Sequence, residues 1–442
     1  MYVDRVTGSV LDALPVHDRT PTGNPAMRET SSMHVTLRRV ARTLLIAVSA
    51  TAVLSACDAW QAPVVTMSQP LVQFDAQPLS DSKIRDRDIV FYTARVAGDP
   101  ASAGDRLTLA KLLLARSRTA SSTRDLTVAE SLATVAFSLR SARNVHALEV
   151  VASARMARHD FAGAHAAASL ADSLEPGNAS HLALRAEIEL ELGEYAAADT
   201  HFRAVRTTRD QFTVGARLAR WYEVTGHSPR ARVLLHNAIS AVEQRSDLPR
   251  EQVAWFHYRL GELELRTGHL AAADSALRRG LRGNPDDVRL LGALARTALA
   301  QKDWRGAARY ADSATMIQLD PMTLATASRA WTALGDTAQA AQFARAMSTS
   351  ALTQPGPIHR AWGLHLLDYG TAAERRDVLR RARADLRQRQ DVYGHDLMAW
   401  ALHRTGDDVA ARREMQLAMS QATEDVLLQG HAAVLLGVPA SR

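Results

Sequence analysis

The sequence predicts an all-α fold, a solenoid of tandem helical hairpins. Three observations carry this. Aromatic residues make up only 5% of the 442 residues while 47% are hydrophobic, with alanine and leucine prominent. That balance suits close-packed helices and argues against a β protein. Apolar residues recur at helical spacing along most of the chain. A small residue also returns at a fixed offset from a turn, unit after unit, a phase that unrelated amphipathic helices would not keep.

The clearest unit is residues 254–287, AWFHYRLGELELRTGHLAAADSALRRGLRGNPDD. Leu260, Leu263 and Leu270 fall at helical spacing, as do Ala273 and Leu277. Gly261 sits mid-helix, where glycine costs about 1 kcal/mol against alanine, so a second helix is expected to approach there, with Ala273 facing it. Gly268 and His269 end the first helix, and Asn284 and Pro285 end the second.

These residues resemble a tetratricopeptide repeat, whose period is about 34 residues. Leu260-Gly261, Gly268, Ala273, Leu277 and Pro285 take the family's marked places, while His257 and Glu264 stand where it usually has tryptophan and tyrosine. The resemblance implies a right-handed superhelical solenoid.

From the N-terminus, residues 1–32 lack periodicity and read as unstructured, or as an over-extended start with Met33 the true initiator. Residues 33–56 have the order of a secretory signal: Arg38, Arg39 and Arg42, an apolar run from Leu44 to Leu54, then small residues. The run is shorter than the ~20 residues of a spanning helix. Leu54-Ser55-Ala56-Cys57 resembles the lipobox of bacterial lipoproteins, which implies cleavage before Cys57 and a lipid anchor on it; an ordinary cleaved signal or a retained helix are the alternatives. Cys57 is the chain's single cysteine, so an internal disulfide is excluded. Removing residues 1–56 lowers the net charge from +6 to +4.

Residues 57–85, with Pro63, Pro70 and Pro78, read as a tether. The solenoid is expected over 86–436, about eight to nine repeats and a capping helix near 425–436. A helix over 84–100 should stop at Gly98 and Pro100. Helices over 101–117 and 126–142 would flank a lengthened polar break, SRTASSTRD. Regular units then begin at residues 145, 179, 212, 254, 288, 322 and 392, with small residues Ala164, Ala198, Ala231, Ala273, Ala307, Ala340 and Ala411 on the second helix. RSDLPRE interrupts the series, as does QPGP at 354–357. The pair at 358–390 is degenerate, with Arg375 in the small-residue place.

The motifs of phosphate-binding loops, dinucleotide folds, zinc proteases and serine hydrolases are missing. Neither His395 with His403 nor His359 with His365 has metal-ligand spacing, so no metal and no cofactor are expected. Glu187, Glu189 and Glu191 read as a solvated helix edge. The chain is not expected to be an enzyme. Its mild basic excess, carried by arginine with lysine only at Lys83, Lys111 and Lys302, shows no basic module for nucleic acid.

The resemblance implies that first helices line a concave groove. On that register Arg220, Arg296 and Arg329 share one place, Arg289, Arg266, Trp255 and Tyr258 take others, and Arg360 and Trp400 extend the row. Guanidinium forks suit carboxylates and aromatics suit peptide side chains. An acidic or extended peptide is the expected ligand, in competition with the commoner arrangement of arginines standing in solvent. Trp304 and Trp331 fall at packing places. The expected function is a membrane-tethered scaffold for protein–protein interaction on the periplasmic side of the cell envelope, or else an accessory subunit of an envelope enzyme or secretion system. Asp58 does not decide between inner and outer membrane.

Overall fold

A computed structural model describes residues 80–437 apart from 121, 142–143, 209–211 and 355. The proposed signal, Cys57 and most of the tether lie outside the described residues. Twenty helices and no strand occur among the described residues. Helix α1 (Asp81–Gly98) packs on α2 (Ala103–Ala120), which pairs with α3 (Thr123–Leu139). Hairpins follow as α4 (His146–Ala157) with α5 (Phe161–Leu174), α6 (Ala179–Leu192) with α7 (Tyr195–Val205), and α8 (Gly215–Val224) with α9 (Ser228–Glu243). Next come α10 (Arg250–Arg266) with α11 (Leu270–Gly283), α12 (Val288–Ala300) with α13 (Trp304–Thr315), and α14 (Pro321–Ala333) with α15 (Thr337–Leu352). The last are α16 (Arg360–Tyr369) with α17 (Ala372–Asp385), α18 (Val392–Arg404) with α19 (Asp408–Ala418), and a final α20 (Val426–Leu436). None of the described helices is long and apolar enough to cross a membrane.

One turn geometry repeats along the chain. His159, Gly193, Gly226, Gly268, Lys302, Gly335 and Gly406 all have positive φ. In each case the next N–H donates back to the carbonyl five residues earlier, as in Glu194 to Glu189 (2.8 Å) and Asp407 to Leu402 (2.9 Å). This 6→1 closure satisfies carbonyls that a helix end would otherwise orphan. At Asp160, Asp303, Asp336 and Asp407 the same residue then caps the following helix, its carboxylate accepting an N–H three residues on. The small residues of the second helices, Ala164, Ala198, Ala231, Ala273, Ala307, Ala340 and Ala411, are all buried at the crossing of the hairpin. The chain therefore folds as a tetratricopeptide-type solenoid.

Four local expectations change. The first helix begins at Asp81, so the tether's last residues are helical. The break after α2 is short, because Ser122 accepts from the Asp125 N–H and starts α3 at once. Gly261 is needed, but against Leu277 rather than Ala273: a Cβ there would lie 2.4 Å from the Leu277 side chain. Around the degenerate pair, α16 packs on α18 as well as on α17, with Gly363 facing Leu397 and Val378.

The solenoid also closes on itself. The Gln390 N–H donates to the Leu192 carbonyl (2.9 Å), the Val392 N–H donates to Tyr195 Oη (2.7 Å), and Arg389 pairs with Glu191 (3.4 Å). Gly193 lies against the Gln390 backbone and Gly226 against the Ala422 carbonyl. Near the other end, Arg85 pairs with Glu251 (2.6 Å) and the Glu251 N–H donates to Asp81 (3.0 Å). One hydrophobic core accordingly joins Ala183, Leu190 and Phe202 to Leu324, Leu397 and Leu435. A simple repeat array lets each unit touch only its neighbours; here repeats some 200 residues apart are in contact.

Candidate functional site

Carboxylates of neighbouring first helices, and at Arg220 the closure itself, set the surroundings of the arginine row. Glu223 on α8 is buried and faces three guanidiniums: Arg266 at 2.5 Å, Arg220 at 3.2 Å and Arg259 at 3.5 Å. Burial opposes its charge, but Arg266, Arg220 and Arg259 outweigh that and hold the carboxyl at about 2. Glu262 on α10 takes Arg296 at 2.5 Å and Arg266 at 3.2 Å. Asp396 on α18 takes Arg360 at 2.5 Å and His431 at 2.7 Å, with Asp425 a further 3.7 Å contact for Arg360. The Tyr393 ring has the Arg220 guanidinium at 5.0 Å and that of Arg360 at 4.8 Å. Arg289 turns back onto Asp287, the cap of its own helix, at 2.6 Å.

The aromatic members of the row are also engaged. Trp400 stacks on His431 at 4.1 Å and its Nε1 donates to Asp368 at 2.9 Å. Trp255 meets Phe256 edge-on at 4.9 Å. Tyr258 packs with the Leu277 and Leu290 cluster. Glu187, Glu189 and Glu191 are not a solvated edge, since they pair with Arg217, Arg185 and Arg389. One signal for this network was available in the sequence: Glu262 and Arg296 lie one repeat period apart, which places acid and base on adjacent parallel helices.

Arg329 is the exception. Its guanidinium lies over the Tyr369 ring at 5.4 Å, and among the described residues it meets no carboxylate within ion-pair distance. It lines a cleft of about 650 Å³ between the α14–α15 and α16–α17 hairpins. Leu299, Trp304, Leu366 and Tyr369 supply apolar surface, and Ser328, Thr332, Ser348 and Thr349 supply hydroxyls. Arg345 is a second cleft cation, exposed, with no ion pair among the described residues. The cleft carboxylate, Glu374, is committed to the Thr371 N–H (2.6 Å) in a capping box. The imidazole of His365, packed on Tyr369 at 4.9 Å, is pushed down to about 4 by burial and by Arg329. The cleft thus combines an aromatic floor with cationic walls. The sequence placed Arg329 in the row but could not single it out, because its isolation follows from which carboxylates the fold hands to its neighbours. Trp304 and Trp331 both pack against the cluster of Ala298, Leu299, Ala307, Ala308 and Ala330, and Trp304 also reaches the cleft.

Two histidine–carboxylate groups form across hairpins, where metal-ligand spacing within single helices had predicted none. One is His146, Glu149 and His181; the other is His165, Glu189 and Glu194.

No protein-family model matches the chain, and no curated protein matches it. Among solved structures it is similar to PilW, described as a widely conserved type IV pilus biogenesis factor, at 18% identity and a TM-score of 0.39 over 48% of this chain and 96% of that one. It is similar to Pseudomonas aeruginosa pilF at 16% identity and a TM-score of 0.38, over 48% of this chain and 93% of that one. Human IFIT1, solved as a dimer with PPP-AAAA, is similar at 13% identity and a TM-score of 0.42, over 78% of this chain and 96% of that one. None of these likenesses bears on what this chain binds.

Proposed function

We propose that the chain is a protein-interaction scaffold of the cell envelope, held to a membrane by a lipid on Cys57, and that it captures its partner through the cleft around Arg329 and Arg345. The observation that carries the cleft assignment is that Arg329, alone among the arginines of the row, meets no carboxylate among the described residues, and that Arg345 beside it makes no ion pair there either. Cations left without partners on an aromatic floor suit a peptide segment that brings both a carboxylate and an apolar side chain. The volume lies in the range of about 300–1,000 Å³ usual for ligand sites. Of the remaining arginines of the row, Arg220 lies over the Tyr393 ring across the closure, and Arg266, Arg289, Arg296 and Arg360 pair with carboxylates of their own or the adjacent repeat. An accessory subunit of an envelope enzyme or secretion system would use the same cleft and differ only in what it captures.

The test is capture from solubilised membranes by the full chain and by the Arg329→Glu/Arg345→Glu double variant. The wild type should retain one stoichiometric partner and the variant should lose it while keeping the wild-type circular dichroism. Equal capture by both removes the cleft from the reading. Cys57→Ala should release the protein from membranes, and continued retention would contradict the anchor.

A further inference from the structure

His146 is the first residue of α4, and Glu149 follows one turn later on the same face. His181 is the third residue of α6, the first helix of the next hairpin. The two histidines are 35 residues apart, so the repeat itself sets them side by side. His181 Nε2 lies 3.0 Å from one Glu149 oxygen, and His146 Nδ1 lies 3.6 Å from the other. The imidazole rings are 6.3 Å apart at 68°. One ligating atom from each residue falls within 4.8 Å of the others. A tetrahedral zinc with bonds of about 2.0–2.1 Å needs ligand atoms roughly 3.3 Å apart, and the observed spacings bracket that value.

The second observation concerns His181. It is fully buried, yet neither ring nitrogen makes an aligned hydrogen bond, the 3.0 Å approach of Nε2 to Glu149 being out of line. Leaving buried polar atoms unmade costs about 1–3 kcal/mol. Its Nδ1 faces Glu175 at 3.8 Å, and Asn178 steadies Glu175 with a 2.9 Å hydrogen bond. A small approach of that carboxylate would give the arrangement in which a metal-bound histidine donates its far N–H to a carboxylate. His146 is exposed and opens the group to solvent. We propose that His146 Nδ1, Glu149 and His181 Nε2 bind a zinc ion, with water in the fourth position and Glu175 orienting His181.

Charge fits the assignment. The N-termini of α4 and α6 both turn their positive ends toward this place, which disfavours a bare cation. Glu149 and Glu175 supply two negative charges against that. Two imidazoles and a carboxylate select zinc over magnesium or calcium, which prefer oxygen ligands alone. The other histidine group is already satisfied: Glu189 receives His165 at 3.2 Å and Arg185 at 3.0 Å on one oxygen, and His201 at 2.7 Å on the other. A guanidinium holds the place a metal would need. The bound ion would tie α4 to α6 and clamp the first regular hairpins.

The untagged full chain is titrated with Zn²⁺ against a chromophoric chelator, and with Co²⁺ read by visible absorption. One equivalent should bind, Co²⁺ should give the intense band of a tetrahedral site, and Zn²⁺ should raise the melting temperature. His146→Ala alters an exposed side chain, so the fold should survive, and it should abolish the Co²⁺ band and the thermal shift. Glu175→Gln should weaken binding about 10–100-fold, as loss of an orienting partner does. His165→Ala should change nothing. Absence of Zn²⁺ binding by the wild type, unchanged binding by His146→Ala, or loss of binding in His165→Ala would each overturn the proposal.

Discussion

Substituting Gly193 by alanine should open the superhelix. Gly193 has φ +84°, and a Cβ there would lie 2.4 Å from the Gln390 carbonyl oxygen. The left-handed conformation alone costs an alanine about 1–2 kcal/mol. The Gln390 backbone must also retreat, which weakens its 2.9 Å hydrogen bond to Leu192 and the neighbouring 2.7 Å bond from Val392 to Tyr195. Each such bond contributes about 0.5–1.5 kcal/mol, and overpacking adds about 1–3 kcal/mol. The expected loss is therefore about 3–8 kcal/mol. Gly335→Ala is the control: its φ is +86° but nothing lies within 4 Å of the new Cβ, so about 1–2 kcal/mol should be lost. Urea denaturation gives both values, and hydrogen exchange locates the damage. Gly193→Ala should raise exchange in the backbone around 385–395, and Gly335→Ala should leave that segment protected. Equal losses with unchanged exchange near Gln390 would refute closure as a source of stability.

Two further outcomes follow from the charge network. Glu262→Gln leaves Arg296 and Arg266 short of one carboxylate; with those guanidiniums about a quarter exposed, the cost falls to roughly 1–3 kcal/mol, below the 3–5 kcal/mol of a fully buried pair, and an unchanged denaturation midpoint would contradict the pairing. His365, pushed down to about 4, binds its proton less readily in the folded chain than in the unfolded one at about 6.5; the stability it confers is present above pH 6.5 and is lost as pH falls toward 4. Asp391, pushed up to about 6 by burial, works in the opposite direction over much of that range, so the His365 contribution is read as a difference. The stability of the wild type minus that of His365→Gln should fall between pH 6.5 and 4, and a flat difference would count against the burial of that imidazole.

The hairpins were legible because their determinants are local. Gly193, Gly226, Gly268, Gly335 and Gly406 mark turns that only a positive φ can make, and alanines such as Ala198 and Ala307 mark crossings that only a small side chain allows. His159 and Lys302 adopt the same conformation without glycine, and nothing in their chemistry announced it. The Ser122 cap was read as part of a long break, since a serine-rich run is equally compatible with a loop. Closure was not legible at all. It depends on the accumulated rotation of many units, to which each residue contributes little. The setting of Arg220 followed from it, whereas the other arginines of the row pair within or between neighbouring hairpins. Arg220 and Arg360 were placed in a groove, and the fold brings the Tyr393 ring against both. The zinc group is hidden for a related reason: its members sit on consecutive first helices, and motifs within one helix do not register such spacing.

The most direct measurement places a photo-crosslinking amino acid at Tyr369, on the cleft floor, and a second at Trp255, in the row of first-helix positions, within cells that make the protein. One crosslinked partner is expected at position 369, lost when Arg329→Glu and Arg345→Glu are added, and none in common at position 255. A partner that crosslinks at 255 and survives the double substitution would place recognition elsewhere and contradict the cleft.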